Sequence, residues 1–210
     1  MLFELPYYDA IRFTVIDPMH NLFLGTAKHL ITIWKDNGIL TNIHFQNIQQ
    51  KIETMNVPLD VGRIPYKIES GMASLTADQW KTWTCLYSLY VLHDVLPKEH
   101  LNCWWLFVQA CILICQPVLT HKAIDKADEF FMEFCQVVEN LYGTQSCTIN
   151  LHLHCHLAKC LHDYGPVHSM AHGALALKGI TEYWEEHLTI IAHFKLKNYD
   201  EQIYSTNGVT

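Results

Sequence analysis

Positive charge is scarce in this 210-residue chain: Lys and Arg total 14 against 21 Asp and Glu, a formal net charge of −7 with histidines neutral. A protein that grips a DNA backbone unaided presents a basic face. None is evident, so autonomous nucleic-acid binding is a poor expectation for this chain alone. CxxC pairs, glycine-rich phosphate loops and GxSxG nucleophile elbows are also missing, which removes the commonest local signatures of redox, nucleotide and hydrolase chemistry. No apolar run has membrane-spanning length. The longest, Cys103–Leu119, contains Gln109 and ends at Pro117, and reads as a buried helix. A secretory leader is not expected either, because Met1–Tyr8 lacks a basic start and Glu4 and Asp9 interrupt it. The eight cysteines are dispersed in an apolar background, which points to free thiols in a reducing, intracellular compartment.

What is present is apolar and helical. Half of the residues are hydrophobic, enough for a substantial core in one large domain or one and a half small ones. Asp17-Pro18 offers an N-cap and a first-turn proline, and apolar residues from Met19 to Trp34 then recur at helical spacing until Gly38. A more polar helix is expected over Asn42–Met55, followed by a long loop over Asn56–Met72, where prolines and glycines gather. Thr76-Ala77-Asp78-Gln79 starts the next helix, which carries Trp80, Trp83, Leu86 and Leu89 to about Val95 before Pro97. Lys98–Cys115 is the buried helix. His121–Tyr142 is amphipathic, with Ile124, Ala127, Phe130, Phe131, Phe134 and Val137 on one side and Gly143 as its stop. A last helix covers Asn150–Tyr164 and breaks at Gly165-Pro166. With no repeat and no convincing strand series, the expected class is all-α, a helical bundle.

That last helix, NLHLHCHLAKCLHDY, holds four histidines and two cysteines. His152 and His156 are four apart, which puts both imidazoles on one helix face, and HxxxH is a familiar half-site for zinc. Cys160 continues that face, but lies about 12 Å along the axis from His152, so all three cannot bind one ion. Spacing alone favours a partly buried, hydrogen-bonded polar face over a metal site. Cys111 and Cys115 share the same spacing in the most apolar helix, where cysteine usually behaves as a small hydrophobe. The other polar cluster, Asp17-Pro18-Met19-His20-Asn21, reads on spacing alone as a helix N-cap.

Three segments together resemble one family: IDPMHNLFLGTAKH at Ile16–His29, LTADQWKTWTCLYS at Leu75–Ser88 and NLHLHCHLAKCLHDYGPV at Asn150–Val167. They look like the transposase of CACTA (En/Spm-type) DNA transposons, and LTHKAIDKA and LYG fit in order between them. The resemblance covers about residues 7 to 168. It implies the helical insertion region of an RNase H-like nuclease, whose three acids hold two Mg²⁺ or Mn²⁺ ions for cut-and-paste DNA transposition. It also implies that His152 and His156 are the histidine half of a zinc site shared with a CxxC. That CxxC and the first two catalytic acids would lie before Met1, so no complete RNase H sheet is expected here. Asp17, His20 and Asn21 match a family motif to which a structural role is assigned. Transposon-end DNA and a nuclear location follow from the resemblance, with DNA binding weak or none for this chain. No membrane association is expected.

The family's last acid belongs in a motif like WCFSFERYNGILG just after DYGPV. The chain instead reads MAHGALALKGITEYWEE from Met170. Taking the third base of each codon with the first two of the next, His172–Gly173 can encode W, and the following pairs can spell the motif in order. Leu177–Lys178 then gives its glutamate, and the shifted reading continues as RTPNNNR. Residues 169–210 are therefore expected to be an out-of-frame tail on a transposase-derived region at 1–168. With its acids absent, the chain is expected to be catalytically inactive. Two alternatives remain, a helical protein-interaction module recruited from a transposase and an unrelated zinc-stabilised helical protein.

Overall fold

A computed structural model describes residues 16–55, Ile68 and residues 72–167. Most of the expected 56–72 loop, the 169–210 tail and its shifted motif lie outside the described residues. Within them the protein is all-helical, with no strand.

Helix α1 opens as a π-helical stretch, Met19–Ala27, and continues as the α-helical Lys28–Asp36. The N-cap expected at Asp17 is formed: its Oδ1 accepts from the Met19 and His20 amides at 2.9 and 3.4 Å. Helix α2 is Asn42–Glu53, capped by Thr41. Helix α3 is composite, with Ala77–Thr82, a π-helical Trp83–Tyr87 and Ser88–Leu92 in sequence. Its start is a capping box in which the Thr76 hydroxyl and the Gln79 carboxamide bond each other's amides. Helices α4 (Lys98–Ile114), α5 (His121–Tyr142) and α6 (Ile149–Tyr164) complete the series. Thr120 and Thr148 cap α5 and α6, while Gly143 and Gly165, both at positive φ, end them.

Helix α4 packs along α5, and α5 along α6. The π stretch of α1 lies against both the start of α3 and α6, so the three segments that carry the family resemblance meet around one core. That core is aromatic. Trp104 stands edge-on to Trp34 at 5.4 Å and tilted to Trp83 at 5.6 Å, with Phe107 alongside at 5.2 Å. Two of these indoles have a partner for the N–H, whereas the buried N–H groups of Trp83 and Trp80 have none. Trp104 donates to Ser88 Oγ at 2.8 Å, and Trp34 donates to the Tyr142 hydroxyl at 2.7 Å.

The buried stripe of α5 differs from expectation in its second half. It runs Phe131, Phe134, Val138, Tyr142, leaving Val137 half-buried. Steps of three, four and four keep the stripe facing the core along a straight helix, whereas Val137 would continue a step of three and drift off it. Phe130 stays half-buried, edge-on to Trp105 at 5.6 Å and beneath the Lys126 ammonium.

Candidate functional site: the histidines of α6

Along α6 the histidines separate by angle. His152 and His156, one turn apart, are exposed on one face, and two residues from either the chain has turned to the opposite side. His154 points there, into the core, and is completely buried. It lies among Phe107, Phe131 and Phe134, with ring centroids 6.0, 4.8 and 5.9 Å away. Its Nε2 meets the Thr26 hydroxyl at 3.1 Å, and its Nδ1 has no hydrogen-bond partner. Burial in this cage pushes its pKa down to about 3, so the ring is neutral at any physiological pH. This member of the cluster is thus a fully buried core ring with one of its two nitrogens bonded, not part of the partly buried, hydrogen-bonded face expected from the spacing.

His152 and His156 approach through Nε2 atoms 3.3 Å apart, their rings steeply inclined at 74° with centroids 5.0 Å apart. Two imidazoles on one zinc ion have nitrogens roughly 3.3 Å apart, given metal–nitrogen bonds of about 2.0–2.1 Å and tetrahedral angles. The inclined rings allow both lone pairs to converge on a third point. Among the described residues no group of three or more His, Cys, Asp or Glu could hold a metal ion. The pair therefore offers two ligands and leaves the other positions to water or to residues elsewhere.

The Asp17-His20-Asn21 cluster reaches α6 from the other side. Asp17 bonds the His20 ring through Oδ2 as well as capping the helix. Partial burial raises its pKa, but the His20 contact and two backbone amides outweigh that and hold the carboxyl below its ordinary value. Asn21 is buried, and its Nδ2 donates to the Asn150 carbonyl at 2.9 Å. One turn on, Gly25 sits so close that a Cβ there would lie 2.4 Å from Asn150 Nδ2. These residues thus begin α1 and dock it on the first turn of α6. Only His20 is left exposed.

The cysteines form no recognisable redox or metal site. Cys111 is buried, and burial holds its thiol well up. Cys115, at the end of α4, is half-buried against Cys85, whose hydrogen bond lowers its pKa. The same hydrogen bond and then burial push the Cys85 thiol well up, and Lys81, only 6 % exposed, opposes that only weakly.

Sequence reasoning missed a second histidine contact. His162, in the last turn of α6, meets His121, in the first turn of α5, with Nδ1 atoms 2.9 Å apart, and its Nε2 faces Asp125 Oδ1 at 3.1 Å. The only prior signal was position: a histidine at the C-terminal end of one helix and another at the N-terminal end of its neighbour.

None of the described helices is long and apolar enough to cross a membrane. Comparison with protein-family models, with curated proteins and with solved structures finds no match to this chain.

Proposed function

We propose that this chain is a fragment derived from the transposase of a CACTA-type DNA transposon, retaining its helical region and lacking strand-cleavage activity. One observation supports the reading: the first and third resembling segments, Ile16–His29 and Asn150–Val167, join through their own motif residues, and the start of the second packs on the first. Asn21 bonds Asn150, Thr26 bonds His154, and Gly25 leaves room for the Asn150 side chain. Two-metal DNA chemistry needs three converging carboxylates, and the proposed shift of frame from about Ser169 removes the last of them, which the shifted reading places at Leu177–Lys178. The family role, with Mg²⁺ or Mn²⁺, a nuclear location and transposon-end DNA as partner, belongs on this reading to the intact transposase.

The test has two arms. Purified protein is expected to give no nicking of transposon-end DNA with Mg²⁺ or Mn²⁺; metal-dependent nicking would overturn the inactivity. The coding DNA across codons 166–192 is expected to spell the WCFSFERYNGILG-like motif in the shifted frame. Codons that cannot do so would remove the frameshift.

A second reading, a zinc-binding helical protein, is favoured by the 3.3 Å spacing of His152 and His156. It predicts stoichiometric zinc on the purified protein, whereas a half-site without partners gives close to none.

A further inference from the structure

The contact between α5 and α6 at His121 and His162 has a geometry different from that of the His152–His156 pair. The Nδ1 atoms are 2.9 Å apart while the ring centroids are 5.0 Å apart and the planes differ by only 13°. A centroid separation that long, with nitrogens that close, puts both nitrogens almost on the line joining the ring centres. The rings therefore meet edge to edge, nearly coplanar. Lone pairs aimed at each other cannot converge on a metal ion, but this is the arrangement of a direct N–H···N hydrogen bond.

The direction of that bond follows from what lies at its far end. Asp125 Oδ1 is 3.1 Å from His162 Nε2, and a carboxylate only accepts, so Nε2 carries the proton of His162. In the neutral ring this leaves His162 Nδ1 as a lone pair. His121 Nδ1 must then be the donor, and the one remaining nitrogen, His121 Nε2, is a lone pair too. Both His121 and Asp125 are exposed. Asp128, one turn beyond Asp125, adds a second carboxylate beside His162, held above its ordinary pKa by burial and then by Asp125. Hydrogen bonds in a chain polarise one another, so charge passes from Asp125 through His162 towards the free nitrogen of His121.

We infer that Asp125, His162 and His121 form a relay that makes Nε2 of His121 a nucleophile for acyl transfer from activated esters. Nε2 of His121 attacks the ester carbonyl, forming an N–C bond as the bond between the acyl carbon and the phenolic oxygen breaks and the phenolate leaves. The Nδ1 proton of His121 passes to Nδ1 of His162, whose imidazolium is held by the Asp125 carboxylate. Water then hydrolyses the acyl-imidazole to the carboxylic acid, His162 returns the Nδ1 proton to His121, and the proton that water leaves on Nε2 passes to solvent, restoring the free lone pair. Asp125 and His162 are positioning residues, and only His121 touches the substrate.

The experiment treats the full 210-residue chain with p-nitrophenyl acetate, following nitrophenolate release and locating acetylated histidines by peptide mass spectrometry. His152 and His156, exposed on the same protein without a carboxylate behind them, serve as internal references. His121 is expected to be acetylated well ahead of both, and His121→Gln to remove the fast nitrophenolate release. Asp125→Asn and His162→Gln are expected to lower acetylation of His121 by roughly tenfold or more while that of His152 and His156 stays unchanged. A purely structural role for Asp125 would alter all three sites or none. The inference is overturned if His121 reacts no faster than His152 and His156, or if Asp125→Asn leaves its rate at the wild-type value.

Discussion

His154 makes the sharpest prediction, because it ties the fold's stability to pH through one residue. Its folded pKa is about 3 against an ordinary 6.5. A histidine with a depressed folded pKa contributes its full stability above the unfolded value. As pH falls from 6.5 towards 3, the unfolded chain takes up a proton that the folded chain refuses, and that stability is lost. At about 1.4 kcal/mol per pH unit, roughly 2 kcal/mol disappears between pH 6.5 and 5, and on the order of 5 kcal/mol by pH 3. The assay is urea unfolding at pH 7.5, 6 and 5, comparing wild type with His154→Phe, which keeps an aromatic ring among Phe107, Phe131 and Phe134 and cannot titrate. His100, whose pKa is also lowered by burial, pulls both proteins the same way, so the difference between them isolates His154. Wild type is expected to lose about 2 kcal/mol more than the variant by pH 5. Parallel pH profiles, or an NMR titration of the His154 ring near 6, would refute the argument.

Other expectations follow from single contacts. Gly25→Ala drives a methyl into the Asn150 side chain and should cost about 1–3 kcal/mol by thermal or urea unfolding; Asn150→Ala in the same protein should return part of it. Tyr142→Phe removes the hydroxyl that accepts from Trp34 and bonds His100 Nδ1 at 2.7 Å, and should cost roughly 1–3 kcal/mol per stranded group. The variant also strips His100 Nδ1 of its partner, so it should shift the His100 ring resonances. Thr148→Ala, which deletes the α6 cap, should lower stability by about 1 kcal/mol in the same assays. Zinc titration should give a calorimetric signal that His152→Ala removes entirely if the exposed pair is the sole chelate.

The punctuation of this fold could be read from the chain because caps and stops act locally. Thr76 with Gln79 marks a helix start wherever it occurs, and Gly143 or Gly165 ends a helix by adopting a φ that other residues resist. The two π-helical stretches could not be read that way. Met19–Ala27 and Trp83–Tyr87 lie in segments that face each other across the core, and their widened turns answer to tertiary packing, which periodicity does not record. The histidines of α6 illustrate the same division. The spacing of His152 and His156 required that they share a face, and they do. Nothing in that spacing could assign His154 to an aromatic cage built by α4 and α5, or bring His162 to a residue 41 positions earlier. One fifteen-residue stretch therefore holds three kinds of imidazole: an exposed pair, a neutral core ring, and a ring between a carboxylate and a second histidine. The environment supplied by α1, α4 and α5 sets their chemistry. A metal-site reading of the whole stretch would misassign His154 and His162, and a core reading of the whole would miss the pair at 3.3 Å.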